Sequence, residues 1–256
     1  STKALVNYTN GVQWVAQISD FITQVVGTSQ PVTLVGNSLG GYASLATAAV
    51  RPDLVRAVAL LNGAGPLQAV GEPVRDPDVE PGSYDQLLNA LQGLVKRVVM
   101  WFGFLQAKQP GRIREVLQLV YTNKEQVDDD LVDSIVQPAM DPLASEVFFR
   151  LNHGNRPPLT VNALLQRIQV PLLLLHGMKD PWITPSRAAK VMALCVEAGV
   201  TAQLVPLPAG HCPHDDSPVL ANAALLTWLK ELPAVPLAAP RTLSLADVAA
   251  RLRTSL

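Results

Sequence analysis

At 256 residues, with 48% apolar and 16% charged side chains and a formal net charge of −1, the chain has the composition of a globular protein with a large core. One large α/β domain, or one domain carrying an insertion, fits that length. The near-neutral balance excludes an electrostatic case for nucleic acid as a partner, and no apolar run approaches the ~20 residues of a membrane span.

In chain order, Val12, Val15, Ile18, Phe21, Ile22 and Val25 recur at helical spacing and predict an amphipathic helix from about Asn10 to Val26. Gly27 and Pro31 end it, and Pro31 to Gly36 reads as a β-branched strand. A second helix is expected from Leu39 to Val50, stopping at Arg51-Pro52, and Arg56 to Leu61 reads as the next strand. This alternation predicts a parallel sheet covered on both faces.

The pattern changes between about Gly65 and Asn162. A Pro-, Gly- and Asp-rich loop is expected over 71–83, then helical segments near 84–107, 112–121, 124–136 and 141–150. We read residues 66–165 as a helical cap inserted into a core of residues 1–65 and 166–232. The run Asp128 to Asp130 reads as a solvated face. Alternation resumes with the strand Val170 to Gly177, the helix Pro185 to Ala198, the strand Thr201 to Val205 and the helix Pro218 to Leu229. Residues 233–256 form a Pro-rich linker and a C-terminal tail in which Leu245, Val248, Ala249 and Leu252 keep helical spacing.

The chemistry is concentrated at Gly36-Asn37-Ser38-Leu39-Gly40, a G-x-S-x-G pattern between an expected strand and an expected helix. A turn that tight holds the serine at its apex in a strained conformation, and we expect side chains two residues before and after it to collide with the turn. The hydroxyl then stands at the N-terminus of a helix, where developing negative charge is favoured. A Gly-rich turn with Ser38 merely capping the helix is the plain alternative.

A serine needs a base, and the base a carboxylate to orient it. Four histidines are available: His153, His176, His211 and His214. His211, in a loop after the fourth expected strand and preceded by a glycine, fits the chain order nucleophile, acid, histidine; His214 is its competitor, expected at a helix start. Asp180, just past the Val170–Gly177 strand and fixed by Pro181, is the expected acid, with Asp215 and Asp216 as alternatives. The spread His211-Cys212-Pro213-His214 is too narrow for a tetrahedral metal site, and Cys195 and Cys212 make no disulfide framework. No metal or organic cofactor is expected.

A tetrahedral intermediate needs at least two N–H donors. The backbone N–H of Leu39 is the first candidate for the oxyanion hole. The second normally comes from a loop upstream, and nothing before Ser38 reads as that loop. With four core strands counted, about half of the sheet usual for this architecture, we expect an N-terminally truncated chain. As written it would be poorly active or prone to aggregate.

The segments "GNSLGGYASL", "LLNGAGP", "HGMKDPWITP" and "PAGHCPHDDSP" resemble the α/β-hydrolase superfamily. More narrowly they resemble its plastid and cyanobacterial branch that includes pheophytinase and chlorophyll dephytylase. The resemblance runs from Tyr8 to about Leu232, and "GHCPHD" is its most specific part. It implies an α/β-hydrolase fold and a serine esterase that removes the phytyl alcohol from a chlorophyll-type ester through an acyl-enzyme, with Ser38, His211 and Asp180 as catalytic residues. A chloroplast location is also implied, with a bulky apolar ester, a small-molecule substrate, as the partner and contact with membranes through that substrate. Relatives with dehalogenase or epoxide-hydrolase chemistry carry Asp where this chain has Ser38. An apolar cap built around Trp101, Phe102, Phe104, Phe148 and Phe149 would suit a long hydrocarbon chain. Acyl transfer or thioester hydrolysis by the same residues, or a non-catalytic scaffold, are the alternatives.

Overall fold

The computed structural model describes residues 11–28, 30–68, 97, 99–153 and 159–234. The loop expected over 71–83, the first part of the helix expected over 84–107 and most of the C-terminal tail lie outside these residues.

Helix α1 (Val12–Asp20) starts after Gly11, whose φ of 70° sets the entry turn, and runs on as π-helical backbone over Phe21–Val26. It buries Val15 and Ile22 and stops at Gly27 in the left-handed region. Strand β1 (Val32–Asn37) leads through Ser38 into α2 (Leu39–Val50), and β2 (Val55–Leu61) follows. Between β2 and β3 come α3 (99–107), α4 (Pro110–Val120), α5 (Asp129–Ala139), α6 (Ala144–His153) and α7 (Val161–Leu165). Strand β3 (Leu172–Gly177), α8 (Pro185–Glu197), β4 (Ala202–Leu207), α9 (Pro213–Asp216) and α10 (Pro218–Glu231) complete the described chain.

The four strands form one parallel sheet in the order β1-β2-β3-β4, in register at Val35, Ala59, Leu173 and Gln203. Side chains alternate between its faces. On one face Val58, Leu60, Leu172 and Leu174 pack with Tyr42 and Leu45 of α2, Leu164 and Leu165 of α7 and Cys195 of α8. On the other, Ala59, Leu61, Leu173 and Leu175 pack against Ala221 and Trp228 of α10. Strands β2 and β3 are buried almost throughout, as inner strands of a parallel sheet are. Among the described residues β1 is an edge strand, and its Val35 is 46% exposed.

Helices α4 and α5 close around a separate small core of Ile113, Leu117, Val120, Val127 and Val132. Where the spacing predicts one helix over 124–136, a 3-10 turn at Lys124–Gln126 precedes α5. The chain re-enters helix there because Asp128 accepts the N–H of Leu131 at 2.8 Å and caps it. Helix α7 has no counterpart in the sequence reading, since five residues are too few to show a period. It sits inside the main core, with Thr160 as its cap. Strand β4 runs two residues beyond its expected end; among the described residues it is an edge strand, on which Pro206 need donate no outward bond.

Candidate functional site

All four strands end on the same edge of the sheet, and each delivers a polar residue just past its last pairing: Ser38 after β1, Asn62 after β2, Asp180 after β3 and His211 after β4. Ligand and catalytic sites of open parallel sheets collect at this carboxyl edge.

Ser38 has φ 51° and ψ −117°, a conformation that costs a non-glycine residue about 1–3 kcal/mol and must be imposed by its surroundings. Three backbone bonds impose it. Its N–H donates to Leu61 O at 3.0 Å, and its carbonyl accepts from Gly41 N at 3.0 Å and from Ala64 N at 2.9 Å. Its hydroxyl makes no capping bond to α2, so helix capping does not account for it. Leu39 is the first residue of α2, where the helix offers its N–H no acceptor.

The two glycines of the motif are not equivalent. A Cβ on Gly36 would lie 2.3 Å from Gly40 O, so only glycine fits there. A Cβ on Gly40 would meet nothing within 4 Å among the described residues, which corrects the expectation of a collision on both sides. Gly40 faces outward, and the close approach falls instead on buried Gly41, whose Cβ would stand 3.1 Å from Gly63 Cα.

His211 and Asp180 are brought together: His211 Nδ1 is 2.7 Å from Asp180 Oδ2, with the two residues only 6% and 3% exposed. The ring of Trp182 packs edge-on against the imidazole at 5.1 Å. Burial alone would raise the carboxyl pKa. The hydrogen bond from His211, the N–H groups of Ile183 and Trp182 and the Asn62 amide outweigh it and hold Asp180 below the usual carboxylate range. An ionised Asp180 fixes the proton on Nδ1 and leaves Nε2 free to act as a base.

The serine turn and the histidine loop are joined through the residue before Ser38. Asn37 Nδ2 donates to Leu61 O at 2.9 Å and to His211 O at 2.8 Å, while its Oδ1 accepts Cys212 Sγ at 3.7 Å.

The other candidates fall elsewhere. Asp215 accepts Tyr121 Oη at 2.7 Å, and Asp216 accepts Gly210 N, Thr122 N, Thr122 Oγ1 and Asn123 N. His214 lies in α9 and lines a cavity of about 310 Å³ with Val35, Asn37 and Leu225. Burial lowers its pKa, as it does for His176, which is 3% exposed and whose Nε2 has no partner among the described residues. His153 closes α6.

Two residues of this edge escaped the sequence reading. Asn62, fully buried at φ 46°, donates from Nδ2 to Asp180 Oδ2 at 2.7 Å and exchanges bonds with the backbone of Gly177. Arg187 donates to Gly63 O at 3.2 Å and Gly65 O at 2.6 Å, clamping the loop that touches Ser38; burial lowers its pKa. The "LLNG" segment held the signal for Asn62, a polar residue at the end of an apolar strand beside the serine strand.

Among the helices between β2 and β3, Phe104 is buried against Phe148 at 5.4 Å, whereas Trp101 and Phe102 are largely exposed and pair edge-to-face at 5.0 Å. With Arg97, Ser145, Glu146 and Phe149 they line a cavity of about 410 Å³.

Comparison with known proteins gives these features a context. Residues 5–225 match the model of the alpha/beta hydrolase family. The chain is 31% identical over 224 residues to "Pheophytinase, chloroplastic" of Arabidopsis thaliana, a match that takes in 86% of this chain and 45% of the relative; the chain spans just under half of that relative's length. Among solved structures it resembles a meta-cleavage product hydrolase from Pseudomonas fluorescens IP01, with a TM-score of 0.63, 18% identity and coverage of 91% of this chain and 76% of that one. It also resembles a serine hydrolase involved in carbazole degradation, with a TM-score of 0.62, 19% identity and coverage of 90% and 74%. At such identities these two speak for the fold alone.

Proposed function

The chain belongs to the alpha/beta hydrolase family, and on that premise we propose that it is a serine carboxylic-ester hydrolase working through an acyl-enzyme. The observation that carries this reading is the His211–Asp180 hydrogen bond at the sheet edge where strained Ser38 stands, with Asn37 tying the two loops together. Ser38 Oγ attacks the ester carbonyl as His211 Nε2 takes its proton. The Leu39 N–H stabilises the oxyanion at the N-terminus of α2. The tetrahedral intermediate collapses, His211 gives its proton to the departing alkoxide, and the acyl group remains on Ser38. Water, deprotonated by the same imidazole, then frees the acid and restores the serine. Asp180 remains ionised and keeps His211 in one tautomer.

The substrate we propose is a bulky apolar ester of the kind exemplified by the phytyl ester of a chlorophyll-type pigment, in a chloroplast. Similarity to the Arabidopsis pheophytinase supports this, as do the aromatic side chains of the helices between β2 and β3, residues 66–165, which we read as a cap over the site. A fluorophosphonate probe tests the chemistry: labelling that vanishes in Ser38→Ala supports it, and a folded protein that takes no label overturns it in favour of a scaffold. Incubation with pheophytin, with alcohol competing against water, separates hydrolysis from acyl transfer.

A further inference from the structure

The loop that carries His211 is held from the helices between β2 and β3 as well as from the sheet. The His211 N–H donates to Val120 O, the last carbonyl of α4, at 2.9 Å. The preceding Gly210 packs so closely on α4 that a Cβ there would sit 1.9 Å from the same oxygen. One carboxylate locks this contact. Asp216 is buried, and its Oδ2 accepts Gly210 N at 2.6 Å, Thr122 Oγ1 at 2.8 Å and Thr122 N at 3.0 Å. Its Oδ1 accepts Asn123 N at 2.7 Å and shares Thr122 N at 3.0 Å. Both oxygens are therefore used, on one side by the residue before His211 and on both by the connection between α4 and α5. Beside it Tyr121 Oη donates to Asp215 Oδ2 at 2.7 Å.

We infer that Asp216 is a positioning residue: by binding Gly210 and the Thr122–Asn123 turn together, it makes the placement of the His211 imidazole depend on the helices between β2 and β3. Its hydrogen bonds run to Gly210, Thr122 and Asn123, and none of them to the imidazole. It acts through the backbone of Gly210 and His211, and His211 in turn holds Asp180. Although burial opposes its charge, the N–H donors of Asn123, Gly210 and Thr122 outweigh that and hold Asp216 below the usual carboxylate range, so it stays an acceptor for all of them at neutral pH. An amide in its place would turn an NH₂ toward groups that are themselves donors.

The inference rests on His211 being the base, and the test separates the two. Thr122→Val removes one hydroxyl donor and keeps the shape; Thr122→Ser restores the hydroxyl. Well below the unfolding midpoint, Thr122→Val should lower kcat on a p-nitrophenyl ester roughly fivefold with KM unchanged. Asp216→Asn should lower it about 10- to 100-fold, and Thr122→Ser should return to within about twofold of the parent. The low-field proton resonance of the His211 Nδ1–H should shift or broaden in Thr122→Val and return in Thr122→Ser. A Thr122→Val protein with parental kcat and an unmoved resonance overturns the inference, as does one whose loss appears only in the melting temperature. If the parent itself takes no fluorophosphonate label, the esterase reading fails, and the resonance still decides whether Asp216 sets the His211–Asp180 pair.

Discussion

Asn62 Nδ2 lies 2.7 Å from Asp180 Oδ2, the same oxygen that His211 Nδ1 approaches at 2.7 Å. The carboxylate is thus gripped from two strands, and the imidazole meets an acceptor that cannot swing away. Asn62→Ala leaves that oxygen short of one charge-assisted bond, worth about 1.5–3 kcal/mol. We expect kcat to fall about 10- to 100-fold. Asn62→Asp would set a second carboxylate beside Asp180, and the alkaline shift of the pair should appear as a raised acid limb in the pH–rate profile. Unchanged kcat in Asn62→Ala would show that the Asn62 amide has no part in setting Asp180.

Ser38→Gly should separate chemistry from stability in a single protein. Removing the side chain at φ 51° relieves strain, so the denaturant midpoint should rise by the equivalent of about 1–2 kcal/mol. Ester hydrolysis and fluorophosphonate labelling should both disappear. Denaturant titration beside an activity assay reads both, and a variant that loses stability would mean the turn is not strained.

The glycines around the serine give a steric contrast. Gly36→Ala forces a methyl to 2.3 Å from Gly40 O and should yield little folded protein. Gly40→Ala meets open space and gains helix propensity of up to about 1 kcal/mol. Melting temperatures of the two variants test this; equal damage from both would contradict the geometry of the turn.

Stability should decline toward acid in two stages. Burial holds the His176 and His214 pKa values below their ordinary value near 6.5. Below about pH 6.5 the unfolded chain therefore binds protons that the folded chain refuses, and stability falls, by at most about 1.4 kcal/mol per pH unit for each group. Asp180 and Asp216 have folded pKa values below their unfolded ones, so their contribution is complete above about pH 4 and drains away below it. Urea midpoints measured from pH 8 to pH 3 should show a plateau, a shallow fall and then a steep one. His176→Gln should shrink the shallow fall, and a flat profile between pH 7 and 5 would exclude the histidine contribution.

The parts of this architecture that could be read from the sequence are those written in short-range pattern. Runs such as Leu172–Leu175 mark inner strands, Arg51-Pro52 marks the end of α2, and the ends of successive strands mark where Ser38, Asp180 and His211 would stand. Contacts between residues distant in the chain were not legible. Asn62 is 118 residues from the carboxylate it holds, and Thr122 is 94 from Asp216. No local period encodes either pairing. For the same reason the sequence offers Asp216 only as an alternative acid, whereas the fold commits it to the α4–α5 connection. Gly40 shows the opposite case: the motif alone suggests a steric need there, and in the fold that need falls on its neighbour Gly41.

Each strand contributes one member of the edge constellation, and the bond from Asn37 to His211 closes a span of 174 residues. Reactivity at Ser38 would therefore arise only after the whole parallel array has zipped into alignment, an intrinsically slow kind of assembly for a polypeptide. During refolding, capture of an active-site label should lag behind the return of helical circular dichroism, making that label a clock for the final step.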